Sequence, residues 1–253
     1  LRAEGVEIAE NAMAAQVRGT KGKIEIEAKD GRVFKGSHLL MAVGRKANTD
    51  RLDLEVAGIE TTRTGIKVDD SLRTTNKKVY AIGDIAGGLQ FTHVAGYHAS
   101  VVIRSILFGL PSTAKTAHIP WATYTDPELA QVGLNEEQAR ARHGDKLKVV
   151  RHEYTHNDRA IAERKTNGLI KLMVVKGRPV GASIVGYQAG ELISFWALAL
   201  ANDMKMRQIA AMVAPYPTVS EVNKRVAGAY FSPRLFDNPN VKRVVRLVQK
   251  WLP

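Results

Sequence analysis

The order in which two hydrophobic periods follow one another constrains this chain most. From about His118 onward, "LKVVRHEYTH", "GLIKLMVV" and "PVGASIVG" read as strands separated by turns. The segments "AGELISFWALALANDM", "RQIAAMV" and "VSEVNKRVAGAYF" then carry helical spacing. Strands first and helices after predict an α+β domain, an antiparallel sheet with helices. The 253 residues suffice for one large domain or two modest ones, each with its own core.

Upstream of His118 the pattern differs. "KIEIEAKDGRVF" alternates apolar and charged side chains on both sides of Asp30-Gly31, which predicts a hairpin. "HLLMAVGR" is a continuous apolar run closed by glycine, as expected of a strand buried on both faces of a parallel sheet. A second apolar strand is expected from Val79 to Ile82, stopping at Gly83-Asp84. After a glycine-rich loop, "THVAGYHASVVIRSILFG" predicts a helix with Thr92 as N-cap and Gly109 as its stop.

Strand, Gly-Asp, loop and helix make one α/β unit, and such folds bind ligands at the carboxyl ends of their strands. An acid there can accept hydrogen bonds from sugar-like hydroxyls, and the glycine lets a ligand approach the backbone. A helix starting near Thr92 would aim its free N–H groups and positive dipole end at an anionic group. The bland reading is that Asp after Gly is ordinary loop chemistry.

Composition removes several classes. The chain contains no cysteine, so it holds no disulfide framework, thiolate metal site or redox dithiol of its own. Its longest apolar run, Leu192 to Ala201, is about half of the ~20 residues that a membrane span needs, and a soluble, cytoplasmic protein is expected. Because the chain starts at Leu1 without a signal-like segment, a truncated protein is expected. The net charge of +12 is dispersed and reads as solvated surface, with no nucleic acid expected as partner.

Two local motifs invite chemical readings. His152-Glu153-Tyr154-Thr155-His156 satisfies H-E-x-x-H, but zinc chemistry requires that spacing on a helix. Its β-branched and aromatic surroundings favour a strand, on which the two imidazoles would stand about 13 Å apart, so no metal site is expected. Thr218-Val219-Ser220-Glu221 fits a capping box in which Thr218 and Glu221 satisfy backbone N–H groups at a helix start.

The tail "NVKRVVRLVQKWL" is amphipathic at about 100° per residue. Lys242, Arg243, Arg246 and Lys250 fall on one side, and Val241, Val244, Val245, Val248, Trp251 and Leu252 on the other. A helix on an anionic membrane and a terminal helix packed on the protein both fit, and packing is the expected outcome.

Five stretches, in this order and spacing, carry a resemblance: "AVGRKANTDRLDLEVAGIE", "TTNKKVYAIGDIAG", "YTDPELAQVGLNEEQA", "NDRAIAE" and "YPTVSE". From Leu1 to about Phe231 the chain resembles the second half of the pyridine nucleotide-disulfide oxidoreductases, among them dihydrolipoamide dehydrogenases and mercuric reductases. The resemblance implies an FAD- and NAD(P)H-dependent homodimer that reduces a small-molecule acceptor. It implies remnants of two dinucleotide-binding domains of α/β type, then the dimerisation domain. Residues 1–50 would close the NAD(P)H domain, 51–117 the FAD domain, 118–231 the interface domain, and 232–253 would form a basic tail.

Carried over by position, Gly44 lies against the nicotinamide nucleotide in a "GRxPN" pattern whose proline is Ala47 here. The resemblance implies that Gly83 and Asp84 belong to the FAD-binding turn and that Thr92 approaches the flavin's pyrimidine edge. The family's catalytic histidine position is Tyr216, whereas the glutamate five residues later is kept as Glu221. Tyrosine titrates near ~10 and histidine near ~6.5, so Tyr216 is a poor base at neutral pH. The expected acceptor is therefore a metal ion or another oxidant that is not a disulfide. The alternative from another class is a dimerisation or binding module without catalysis.

Overall fold

A computed structural model describes residues 1–251, the side chain of Arg234 excepted. The chain divides into two units, Leu1–Asn48 and a second beginning at Thr49. In the first, β1 (Ala14–Thr20), β2 (Lys23–Ala28) and β3 (Val33–Gly36) form an antiparallel sheet in that order. Glu27 pairs with Val33 across the Asp30-Gly31 turn, as the alternating pattern predicts. "HLLMAVGR" departs from expectation, because no strand forms there and Leu40, Met41 and Val43 are exposed. A strand buried on both faces needs neighbours to bond with, and none pairs with this run among the described residues.

The second unit opens with a small ribbon of β4 (Thr61–Thr62) and β5 (Gly65–Ile66). The strand expected at Val79–Ile82 is reduced to one bridge between Arg73 and Tyr80, steadied by the Ala81 N–H donating to the Leu72 carbonyl. Every strand pair among the described residues is antiparallel, so the parallel α/β arrangement is not present there.

A single turn, Gly83–Ala86, leads to α1 (Thr92–Phe108). Phe91 and not Thr92 is the N-cap, and no side chain caps this helix; Gly109 ends it at φ 63° as expected. Val94, His98, Val101 and Val102 recur at helical spacing and are buried, while Ile106, Leu107 and Phe108 are exposed.

The remaining residues form the α+β body predicted from the two periods. Its elements are β6 (Trp121–Thr123), β7 (Glu128–Gly133), α2 (Glu136–His143), β8 (Leu147–Glu153), α3 (Asp158–Ala162), β9 (Leu169–Val175) and β10 (Arg178–Gly186). Then come α4 (Ala189–Ala201), α5 (Met206–Ala210), α6 (Glu221–Ala229), α7 (Ser232–Phe236) and α8 (Pro239–Trp251). The sheet order is β6-β7-β10-β9-β8.

Alternate residues of the central strands, Ala130, Val132, Ile170, Leu172, Val174 and Ile184, face one core. Helices α4 and α6 cover it. On α4, Leu192, Ile193, Trp196 and Ala199 keep the 3.6-residue period, and each large side chain so buried contributes roughly 1.5–3 kcal/mol. Trp196 is wholly buried, and its indole N–H donates to Asn223 Oδ1 on α6 at 2.7 Å, which fixes the two helices against each other.

Elements β6, β7, α2 and α3 lie where the sequence has no clean period. Strand β7 buries the polar Gln131, and α2 buries only Ala139 beneath a charged surface. The tail forms helix α8, but none of its residues is buried, and Val244, Val245 and Val248 are exposed instead of packed on the protein as expected. Leu252 lies outside the described residues.

Candidate functional site

Gly83 sits at φ 68° in a buried turn, and a Cβ there would stand 2.9 Å from the Cβ of Ala95 on α1. Only glycine allows this approach, which seats the turn on the first part of the helix. The Gly83 N–H donates to the buried His98 ring at Nδ1, 3.1 Å away. Burial lowers the His98 pKa, so the ring stays neutral and can accept at Nδ1. Asp84, half-buried, follows in the same turn.

Thr92 is exposed at the start of α1. The Phe91 carbonyl takes the N–H groups of Val94 and Ala95, and no acidic residue lies in the first turn. The uncapped, acid-free end keeps its positive dipole directed outward. The structure thus joins three of the expected residues, Gly83, Asp84 and Thr92, around one helix start, with His98 as the anchor. A buried histidine on the apolar face of "THVAGYHASVV" was the available sequence signal for it.

Gly44, in the first unit, has φ 118°, is exposed, and has open space where a Cβ would lie. A substitution there would be strained by conformation and not by crowding.

The segment 215–221 leads into α6. Tyr216 is 69% exposed, and its hydroxyl donates to Asp158 Oδ2 at 3.0 Å. That bond, then the charge of the same carboxylate, holds the phenol pKa above its ordinary value. Asn157 is buried beside it and acts twice: its Oδ1 caps α3 by accepting the Ala160 N–H, and its amide donates to the Thr218 carbonyl. The pair Asn157-Asp158, which opens "NDRAIAE", therefore fixes the loop that presents Tyr216. An Asn-Asp pair at a helix start was its signal.

Glu221 is the first residue of α6, with its side chain 13% exposed and its Oε1 3.9 Å from Arg225. The expected capping box does not form. Ser220 is the N-cap without a side-chain bond, and the Thr218 hydroxyl turns back to the Pro215 carbonyl at 2.7 Å. The carboxylate of Glu221 is accordingly not occupied in capping.

The H-E-x-x-H stretch is part strand, as predicted, but its histidines are close. Strand β8 ends at Glu153, a turn over Tyr154–His156 folds back, and the rings of His152 and His156 lie 5.9 Å apart instead of about 13 Å. No group of three or more metal-ligating side chains occurs among the described residues.

A depression of about 980 Å³ lies over the sheet and is lined by Gln131, Lys171 and Ser183 among others, and by none of the six expected site residues. Those six occupy a helix start, an open turn and an exposed loop.

Residues 119–227 match the pyridine nucleotide-disulphide oxidoreductase dimerisation domain, and residues 1–99 match the pyridine nucleotide-disulphide oxidoreductase domain. The chain belongs to the pyridine nucleotide-disulphide oxidoreductase family. It is 35% identical over 233 residues to a dihydrolipoyl dehydrogenase of Staphylococcus aureus, covering 90% of this chain and 49% of that protein. A mercuric reductase of Acidithiobacillus ferrooxidans is 35% identical over 234 residues, covering 90% of this chain and 42% of that one. The crystal structure of LpdA from Mycobacterium tuberculosis superimposes with a TM-score of 0.82 at 28% identity, covering 90% of this chain and 50% of that chain.

This chain therefore spans about half the length of the curated relatives it matches. Its dimerisation-domain match contains Tyr216 and Glu221, and its other match contains Gly44, Gly83, Asp84 and Thr92. Helices α7 and α8 lie beyond both. No helix among the described residues is long and apolar enough to cross a membrane.

Proposed function

We propose that this chain is the carboxyl-terminal half of an FAD-dependent NAD(P)H oxidoreductase that acts as a homodimer and reduces a metal ion or another oxidant that is not a disulfide. Residues 1–50 close the NAD(P)H domain and carry Gly44; 51–117 close the FAD domain; 118–231 form the subunit interface; 232–253 are a basic tail. The break between the two compact units, after Asn48, supports the first boundary.

FAD, when bound, accepts hydride from NAD(P)H and passes the electrons on. The residues present fit such a group: the tight Gly83 turn leaves the backbone approachable, and the outward dipole of α1 favours an anion. Asp84 would hold the ribityl and ribose hydroxyl region of the cofactor, and Thr92 would face the pyrimidine edge of the ring.

The observation that carries the acceptor reading is the Tyr216–Asp158 hydrogen bond. A phenol that donates to a carboxylate and titrates above its ordinary range keeps its proton at neutral pH. It cannot take up the proton-shuttling work that dithiol chemistry assigns to a histidine, and Glu221, next to Arg225, is left without its usual partner. Tyr216 then serves as a protonated hydrogen-bond donor at the acceptor site.

The test uses the full-length enzyme and its Tyr216→His variant, assayed for NAD(P)H oxidation with lipoamide, glutathione disulfide and mercuric or cupric ions. The expected result is turnover of metal ions by the unmodified enzyme. Its disulfide turnover should lie about 10²-fold or more below that of the variant, the size of a general-base contribution. Robust lipoamide or glutathione disulfide turnover by the unmodified enzyme would overturn the reading.

A further inference from the structure

We propose that α8, together with the basic depression at its root, is a docking site for an anionic lipid bilayer. The helix carries no acidic residue: Pro239 to Trp251 reads PNVKRVVRLVQKW. Its 13 residues, about 20 Å long, place Val244, Val245, Leu247, Val248 and Trp251 on one side, all exposed. Lys242, Arg243, Arg246 and Lys250 occupy the other side. Neither matched domain reaches this helix.

The second observation lies at the start of the tail. Phe231, directly before α7, and Tyr230 line a depression rimmed by Lys146, Lys148, Lys176, Lys205 and Arg207, with Asp145 the one acid. All five cations are exposed, and Lys148 lies 6.0 Å over the Tyr230 ring. Five cations from β8 and the turn before it, the β9–β10 turn, and α5 with its N-cap thus converge where the amphipathic tail leaves the body.

Charge decides among the occupants. A second copy of α8 would bring like charges beside like charges, with no acid on either helix to pair them. The interfacial region of an anionic bilayer accepts both faces: the apolar side and Trp251 enter to the headgroup boundary while lysine and arginine stay among the phosphates. The dense lysines at the root then meet the same negative surface.

The chain is floated at low salt with phosphatidylcholine vesicles containing phosphatidylglycerol, and with phosphatidylcholine vesicles alone. Co-flotation with the anionic vesicles only, falling as salt rises, is expected. Each of Lys242→Gln, Arg246→Gln and Lys205→Gln should weaken partitioning by about fivefold, and Val248→Asp should abolish it. These side chains are exposed, and unchanged circular dichroism and melting would establish that the variants fold. Absence of flotation with anionic vesicles, equal flotation with neutral ones, or binding indifferent to both the α8 and the Lys205 variants would each overturn the proposal. So would a self-association in solution that Val248→Asp abolishes while wild-type vesicle binding is absent, since the face would then belong to a second copy.

Discussion

Asp158 gives Tyr216 its chemical character, because the carboxylate both accepts the phenol's hydrogen bond and opposes formation of a second negative charge beside it. We predict that Asp158→Asn lowers the Tyr216 pKa toward the ordinary ~10, read as the tyrosinate absorbance that differs between the variant with and without Tyr216→Phe. A titration unmoved by Asp158→Asn would mean that the phenol is held by something else. The sequence named "YPTVSE" and "NDRAIAE" but not the bond between them, since 58 residues separate Asp158 from Tyr216 and no local pattern encodes that contact. Thr218 departs from the capping expectation for a related reason. Its spacing to Glu221 satisfies the capping rule, but Asn157 holds the Thr218 carbonyl and the hydroxyl closes its own turn.

Helix α2 depends on charge more than on burial. Glu136, in its first turn, is ion-paired with Arg140 at 2.7 Å, with Arg151 of β8 at 2.7 Å and with Lys171 of β9 at 3.0 Å. The Arg140 and Lys171 hydrogen bonds lead the effects that lower its pKa to about 2 from 4.5. The folded value lies below the unfolded one, so the stabilisation is complete above the ordinary carboxylate range and is lost as pH falls toward about 2. Glu136→Gln is expected to cost about 1–2 kcal/mol at neutral pH, allowing for solvent screening, in urea unfolding. That difference should shrink as pH drops below about 4, and a difference independent of pH would refute the network's role. Such a helix is poorly legible in sequence because it has almost no apolar stripe, whereas α4, β9 and β10 declare themselves by the residues they bury. "HLLMAVGR" fails in the opposite sense. Its composition is that of an inner strand, but a strand exists only with neighbours, and composition does not supply them.

On the scale of the whole chain, most of the buried core packs on one sheet whose strands are far apart in sequence at one end and adjacent at the other. Strand β7 pairs with β10 across some fifty residues, Val132 meeting Ala182, while β9 and β10 are joined by Lys176-Gly177, both at positive φ, 49° and 75°. That two-residue turn has the handedness matching the twist of the strands it joins. Its hairpin closes a short loop, and the β7 pairing a long one. The sheet therefore has a preferred order of assembly: hairpin first, β8 onto β9 next, β7 and β6 last. We predict that Gly177→Ala, whose Cβ would meet the Tyr230 hydroxyl at an ordinary contact distance of 4.0 Å but in a conformation costing L-residues about 1–2 kcal/mol, slows refolding roughly five- to thirtyfold in stopped-flow measurements. The unfolding rate should be nearly unchanged, and an effect confined to unfolding would place the hairpin late. Two residues at a surface bend would then act as the clock for a core that neither of them enters.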